Sequence, residues 1–308
     1  MMKNILVIYS SQTGQMFDVL SSLSAEIREQ AHFDFVKIEL EKPFPFPWKD
    51  YDTFFDAMPE SVLGIPQAIK PMDIPADKQY DLVILGYQPW FLSPSIPFNS
   101  FLQSDYAQVL KGKPVVTVIA CRNMWLRAQE KVKARLLELN ASLVGNIALD
   151  DKHPNLASTM SIVRWMIHGQ KEASDKYPEA GVSTGDIKDT SRFGPTILHA
   201  LEQGQLATLQ LQLLAQGAIP LRPNLIVMEG NGAKQFPKWA ANTLKYGKAG
   251  DPARKKMLKK FKITLFVAIF ILSPISGGLA RLKTLLTRKK TAADLAYFRQ
   301  VAFVPGKI

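Results

Sequence analysis

Apolar and polar positions divide the first half of this chain into five strand-like runs, each followed by a helix-like or irregular stretch. Ile5–Tyr9 is a short continuous apolar run, and an apolar helix-like stretch follows from Met16 to Ile27. Phe33–Leu40 alternates apolar and polar side chains, as a strand with one partly exposed face does. Tyr80–Tyr87 and Lys113–Ala120 are continuous apolar runs, the pattern of parallel strands covered on both faces. Val144–Asp150 is a fifth. The intervening stretches predict helices around Phe98–Leu110 and from Trp125 to about Leu139. Strands separated by helices predict an α/β fold, a doubly wound five-stranded parallel sheet with right-handed crossovers and helices on both faces.

Other stretches read less directly. Glu41–Pro71 is rich in proline and aromatic residues. It reads either as a surface loop with a helix on the sheet or as an apolar wall over a ligand. Thr159–Gly169 predicts an amphipathic helix, and Glu172–Arg192 a polar loop over the site or a connector. Gly194–Gln216 predicts a closing helix interrupted near Gly204, and Pro220–Gly232 another short strand and turn.

In doubly wound sheets ligands lie outside the carboxyl ends of the strands. Three of those ends are unusual here. The first strand breaks into Ser10, Ser11, Gln12, Thr13, Gly14 and Gln15 and opens a helix at once. Hydroxyls and backbone N–H groups at a helix start form an anion cradle. Neither Gly-Lys-Ser/Thr nor Gly-x-Gly-x-x-Gly is present, so the Walker and dinucleotide fingerprints are absent. This Ser/Thr-rich form suits a single terminal phosphate and resembles the loop that holds the phosphate of FMN in flavodoxin-like proteins. The third strand runs into Gln88, Pro89, Trp90 and Phe91, and the fourth into Cys121, Arg122, Asn123 and Trp125. A flat isoalloxazine ring needs apolar walls and a few polar edge contacts. Trp90, Phe91 and Trp125 would supply the walls; the backbones of 88–91 and 121–125, with Asn123, would supply the contacts. Taken singly, each tryptophan reads as core rather than ligand wall; two aromatic-bearing loops at the right strand ends, beside the cradle, reverse that.

His153 follows the fifth strand and is the candidate general base, although a solvated loop histidine would look the same. Asp150 and Asp151 read as caps for the next helix. Tyr87, Arg122 and Arg164 are candidates to bind an enolate oxygen. His168 and His199 fall in helical stretches, and His32 lies away from the expected site. No spacing supports a metal site, a hydrolase triad or a glycosidase pair.

Composition narrows the picture. The 308 residues are 47% hydrophobic, with a single cysteine, so neither an internal disulfide nor a multi-cysteine metal site is available. The net charge of +11 is uneven. From Lys245 onward fifteen Lys/Arg face two acidic residues, a balance of +13; the remaining 23 basic and 25 acidic residues leave −2. A nucleic-acid protein would spread its basic surface over the folded domain, so no nucleic acid is expected. Arg254, Lys255, Lys256, Lys259, Lys260 and Lys262 instead precede Ile263–Ala280, eighteen residues without a charge, and Arg281, Lys283, Arg288, Lys289 and Lys290 follow. At ~1.5 Å per residue the run reaches roughly 27 Å, just short of a hydrocarbon core. Pro274 and Gly277-Gly278 interrupt it, and both flanks are basic. The pattern favours a monotopic or re-entrant anchor; a buried helical hairpin or an oligomer contact is the alternative. With no signal-peptide pattern at the start, the expectation is a cytoplasmic protein held peripherally or monotopically on the inner membrane.

The string PFPFPW…PESVLGIPQAIKP…YDLVILGYQPWFLSPSIP…LKGKPVVTVIACRNMWLRAQEKVKA is similar to the bacterial family labelled dialkylresorcinol condensing enzyme (DarA), of flexirubin-type pigment and dialkylresorcinol pathways. The resemblance covers about residues 2–200. It implies a flavodoxin-like sheet of order 2-1-3-4-5 and FMN as cofactor. Condensation normally needs a nucleophilic cysteine with histidines in a ketosynthase fold, so the label does not fit Cys121 in this architecture. The resemblance implies instead the aromatase step beside a ketosynthase partner: a lipid-like 2,5-dialkylcyclohexane-1,3-dione loses two electrons and two protons to become the resorcinol. Dioxygen, a quinone or another acceptor would then reoxidise the flavin.

The implied organisation is an FMN domain over 1–200, closing helices and a connector over 201–253, a membrane-association segment over 254–290 and a tail over 291–308. Expected partners are the cyclic diketone, the membrane surface and a ketosynthase, with a homodimer left open. The rival enzyme reading is an NAD(P)H-dependent FMN or quinone reductase. The non-enzyme readings are a flavodoxin-like electron carrier and a membrane scaffold for a ketosynthase.

Overall fold

Five parallel strands, β1 (Lys3–Tyr9), β2 (Ala31–Lys37), β3 (Leu82–Tyr87), β4 (Pro114–Cys121) and β5 (Ser142–Asp150), form one sheet in the order 2-1-3-4-5. The expected doubly wound class and strand order are therefore observed. The structure is a computed structural model describing residues 2–75, 77–272 and 288–307. The switch in strand order falls between β1 and β3, so the ligand crevice expected of such sheets opens at the ends of these strands.

Successive residues of a strand point to opposite faces, and Gly86 and Tyr87 show what each face holds. A Cβ on Gly86 would lie 2.7 Å from Leu20 and 2.9 Å from Met16, both on helix α1 (Gln15–Ala25). The absence of a side chain at Gly86 is what lets α1 sit this close. Tyr87 points the other way. Its ring stacks on Phe98 of α4 (Ile96–Gln103) at 4.5 Å, and its hydroxyl donates to Gln129 of α5 (Leu126–Glu138) at 2.7 Å. The core follows from this sandwich: Ile5, Leu6, Ile8, Val83, Leu85, Val116, Val118 and Ile147 are essentially inaccessible to water.

Between β2 and β3 lie α2 (Tyr51–Asp56) and α3 (Met58–Leu63). Between β3 and α4 a two-residue ribbon pairs Pro89–Trp90 with Ser93–Pro94. Its turn residues Phe91 and Leu92 have φ of 48° and 61°, a conformation that two-residue hairpins need and that glycine or asparagine usually fills.

After β5 come α6 (Asn155–His168), α7 (Thr184–Asp189), α8 (Phe193–Glu202) and α9 (Leu209–Ala215). The predicted closing helix is thus two helices, broken at Gly204 as expected (φ 66°). Leu209 and Leu213 are fully buried. The open edge of β5 is covered: Gln210 accepts from Asn146 N–H at 2.7 Å, and the Ala218 carbonyl from Ala148 N–H at 2.8 Å. Unpaired edge groups would otherwise invite another strand.

The expected strand at Pro220–Gly232 is instead the start of a 22-residue helix, α10 (Pro223–Leu244). Leu-Ile-Val-Met has strand character, but Pro223 is preset for a first helical turn. Leu225, Glu229, Ala233 and Ala240 recur at helical spacing on the buried side. Packing against α3 and α5 overrides local propensity. α11 (Lys255–Val267) follows and packs Leu258 and Phe261 against Phe55, Met58, Val62 and Ala240. α12 (Arg288–Phe298) brings the chain back to α5. Lys133 there donates to the Gln300 carbonyl at 2.9 Å, and Tyr297 donates to Glu130 at 2.6 Å. The expected tail is thus docked through Phe298 and its polar neighbours.

Candidate functional site

The carboxyl edge of the sheet gathers the ends of β1, β3, β4 and β5. β1 ends in the hydroxyl loop. Ser11 Oγ accepts from Met16 N–H at 3.2 Å and Thr13 Oγ1 from Gln15 N–H at 3.3 Å, so two hydroxyls cap the first turn of α1. Such caps satisfy donors that a helix start otherwise leaves exposed. Gly14 has φ 89° and open space where a Cβ would stand. Among the described residues, the backbone N–H groups of Ser11, Gln12, Thr13 and Gly14 donate no hydrogen bond. Four free donors beside the positive end of α1 suit a phosphate. Ser10 Oγ lies 3.2 Å from Ser95 Oγ, linking this loop to the end of β3.

A proline-aromatic segment lines one side. Gln12 donates to the Pro45 carbonyl at 2.8 Å. Trp90 meets Phe44 at 5.3 Å and Trp48 at 5.8 Å, both edge-on. Phe91 stacks on Phe54 at 4.8 Å. The 41–50 stretch therefore builds an aromatic wall onto the β3 end. Gln88, Pro89, Trp90 and Phe91 remain half-buried, so each keeps accessible surface at the edge.

At the end of β4, Cys121 and Arg122 are half-buried and Asn123 is buried. Arg122 donates to Asn155 Oδ1 and Thr159 Oγ1, each at 2.8 Å, and Asn123 donates to Asn155 Oδ1 at 2.9 Å. These bonds draw the first turn of α6 over the β4 end. Farther along, Trp165 meets Phe46 at 5.9 Å, and the Met166 carbonyl accepts from Trp48 N–H at 2.8 Å. One helix thus spans the edge from Arg122 to the proline-aromatic segment. Burial lowers the Arg122 guanidinium to about 10, still cationic at neutral pH. Burial and the Asp150 carboxylate push the Cys121 thiol well above its usual range. A protonated thiol is a poor nucleophile, which agrees with setting condensation chemistry aside.

At the end of β5, Asp150 is paired with Arg222, and burial outweighs that pairing in raising its carboxyl. Asp151 is 1% exposed and does more than cap. Its Oδ1 accepts from His153 N–H at 2.9 Å and lies 2.8 Å from His153 Nδ1. The imidazole is held from its Nδ1 side, with the ring partly exposed. Buried atoms without a partner among the described residues include Asp150 Oδ1, Asp151 Oδ2 and Ser158 Oγ. Polar atoms of this kind call for a ligand or water.

Ser10, Ser11, Thr13 and Gly14 follow β1, Gln88, Pro89, Trp90 and Phe91 follow β3, Cys121, Arg122 and Asn123 close β4 and His153 follows β5, so all lie at the carboxyl ends of strands of one parallel sheet. The structure corrects two side-chain roles. Trp125 is 2% exposed and packs in the main core, so it offers no face to a ring at the edge. Gln15 is 6% exposed, and its amide bonds both the carbonyl and the N–H of Val182, so that side chain holds the 181–183 loop. Of the enolate candidates, Tyr87 is fully buried, and Arg164 donates to Gln170 Oε1 and the Glu172 carbonyl, each at 2.8 Å.

Asn155, Thr159 and Ser95 were missed, and Asp151 was read only as a cap. The Asp-x-His spacing is a legible turn signal, since an aspartate often accepts from the N–H two residues on. Also missed was Glu229 of α10, 2% exposed, whose Oε1 accepts from Arg127 N–H at 2.6 Å in the first turn of α5. Among the described residues no His/Cys/Asp/Glu group is disposed to hold a metal.

No family model and no curated protein matches this chain. Several solved structures are similar. A putative flavoprotein from Bacteroides uniformis is 16% identical, over 50% of this chain and 94% of its own, with a TM-score of 0.39. A flavoprotein in complex with FMN from Lactobacillus acidophilus is 18% identical, over 48% and 94%, with a TM-score of 0.36. A flavodoxin, WrbA-like protein from Agrobacterium tumefaciens is 11% identical, over 65% and 98%, also at 0.36.

Proposed function

We propose that the carboxyl edge holds FMN and that the protein oxidises a 2,5-dialkylcyclohexane-1,3-dione to the dialkylresorcinol. The observation that carries the reading is the loop of residues 11–14, whose four unbonded N–H groups stand at the start of α1 and adjoin the aromatic β3 end. Bound FMN supplies a two-electron acceptor for a hydride. The chain's own residues do the rest. Ser11–Gly14 hold the phosphate, and Trp90 and Phe91 border the ring. Arg122, fixed by Asn155 and Thr159, places positive charge near developing enolate oxygen. His153 takes the proton from the carbon next to the hydride donor at Nε2, while Asp151 holds Nδ1. The product is aromatic, so positioning is the main demand on the protein.

Quenching of flavin fluorescence, with a shift of the bands near ~370 and ~450 nm, is expected on adding FMN to the protein, since the ring then lies against aromatic walls. Gly14→Val should abolish it, because a β-branched residue resists φ of 89°. Anaerobic dione should bleach the bound flavin, and His153→Gln should slow bleaching by about 100-fold or more while keeping the spectrum. Bleaching by NAD(P)H alone would favour the reductase, and failure to bind flavin would reject both enzymes.

We also propose that α11 and the turn that follows it, residues 268–272, meet a membrane surface. Ile263, Val267 and Ile271, four residues apart, are 53%, 39% and 56% exposed. Exposed Lys255, Lys256, Lys259 and Lys260 precede them, the pairing of apolar stripe and cations that anionic interfaces attract. No described helix is long and apolar enough to cross a membrane; the rest of the apolar run, with Pro274 and Gly277-Gly278, lies outside the described residues. Cosedimentation with phosphatidylglycerol vesicles is expected, and Ile263→Asp with Val267→Asp should weaken it about tenfold or more. Unchanged sedimentation of the double variant would reject the surface.

A further inference from the structure

A cavity of ≈ 270 Å³ lies among α3, the ribbon turn, α5, α10 and residues 303–307. Its size sits near the lower end of ligand cavities, about 300–1,000 Å³, so it accommodates one chain. Phe91, Leu92, Phe236 and Phe303 form apolar walls. Two cations line the α5 side. The Arg127 guanidinium donates no hydrogen bond among the described residues; only its backbone N–H is engaged, by Glu229. Lys131 Nζ donates to the Val62 carbonyl and Ser93 Oγ, each at 2.7 Å, and a third N–H remains. Burial, helped by the nearby Arg127 charge, lowers this ammonium to about 8, so a fixed anion beside it would be favourable. The one carboxylate at the wall, Glu130, is already answered by Lys133 at 2.8 Å and by the Tyr297 hydroxyl. The lining therefore combines apolar walls with an excess of positive charge, Arg127, Lys131 and Lys307 against Glu130, while Glu229 lies beside Arg127 outside the wall.

It is also continuous with α11. Phe236 packs edge-on against Phe261 of that helix at 5.4 Å. We infer that the cavity binds the carboxylate of a single-chain aliphatic acid, with the head on Arg127 and Lys131 and the chain among Phe91, Leu92, Phe236 and Phe303. Of these residues Phe91 alone also belongs to the flavin reading, which the head contacts at Arg127 and Lys131 do not require.

Calorimetric titration of the full chain at pH 7 with decanoate, and with 1-decanol as the uncharged chain of equal length, tests it, both below their aggregation thresholds. Decanoate should bind about tenfold tighter or more. Arg127→Met should remove that advantage and leave decanol binding unchanged. Ala134→Leu, which fills the cavity wall, should weaken both ligands. Equal affinity for decanoate and decanol would overturn the assignment, as would full decanoate affinity in either variant. Should Arg127→Met fail to fold, Lys131→Met provides the same contrast, losing the decanoate advantage with decanol binding unchanged. The flavin spectrum should be unaltered in each variant, so failure here is distinguishable from failure of the flavin reading.

Discussion

Replacing Arg254 with methionine is expected to lower unfolding free energy by about 3–5 kcal/mol, the range for removing one partner of a buried ion pair. Arg254 is fully buried between α10 and α11. Its guanidinium grips both oxygens of Glu60 on α3, at 2.7 and 2.9 Å, and lies 2.8 Å from Asp56 Oδ1 at the end of α2. A second bond runs to the Asp56 carbonyl. These partners stand 194 and 198 residues away in sequence, so this cluster is where the extension is fastened to the sheet domain. Methionine would fill much of the space but strand Glu60, 8% exposed, without its counterion. Burying a carboxylate without a partner is the larger part of the cost. Urea unfolding would measure it. Adding Glu60→Gln should recover at least about 1 kcal/mol, because the stranded charge is then gone. A loss below about 1 kcal/mol in the single variant would show that the extension is not held this way.

Glu229→Gln is expected to change how stability depends on pH. Burial raises the Glu229 carboxyl from 4.5 to about 7, against the opposing hydrogen bonds from the first turn of α5. The direction follows from linkage. Below about pH 4.5 the group is protonated in both folded and unfolded chains and costs nothing. Between about 4.5 and 7 the folded chain keeps a proton that the unfolded chain has released, so stability falls as pH rises. Above about 7 the full cost is present, on the order of 3 kcal/mol at ~1.4 kcal/mol per pH unit. Glutamine can accept the same N–H bond but does not titrate. The stability of the variant relative to the natural protein should therefore rise by that amount between pH 4.5 and 8. A difference that stays flat across this interval would mean that Glu229 is solvated or shares its proton elsewhere. The carboxylate of Glu229, on α10, is bonded to the first turn of α5, so the titrating group sits at the contact between these two helices.

Both effects belong to contacts that no local pattern announces. Local patterning carried the sheet further. Strands buried on both faces must be apolar throughout, so Ile5–Tyr9, Tyr80–Tyr87 and Lys113–Ala120 announce themselves. The hydroxyl loop is legible for a related reason. A helix start next to a strand end needs capping oxygens and a residue that tolerates positive φ, and Ser11, Thr13 and Gly14 stand where those needs arise. The grouping of three strand ends into one site also followed, because parallel strands share a carboxyl edge.

The remaining features were decided by tertiary structure. Trp125 and Trp90 are equivalent as residues near strand ends, yet one is 2% exposed in the core and the other lies half-buried against Phe44 and Trp48. Burial depends on which neighbours arrive, and these come from a segment some 45 residues earlier. Strand-prone residues 225–228 became helix because α3 and α5 offer a surface that only a helix with Leu225, Glu229 and Ala233 on one side can cover. α6 crosses the edge because Arg122 and Asn123 find Asn155 and Thr159 there. By itself the sequence determined the strands, the order of helices between them and the polar loop at β1, because each is set by periodicity within a few residues. Tertiary structure alone decided which aromatic rings stay accessible and what fastens the extension, because each is a pairing between distant or differently facing segments that local pattern does not encode.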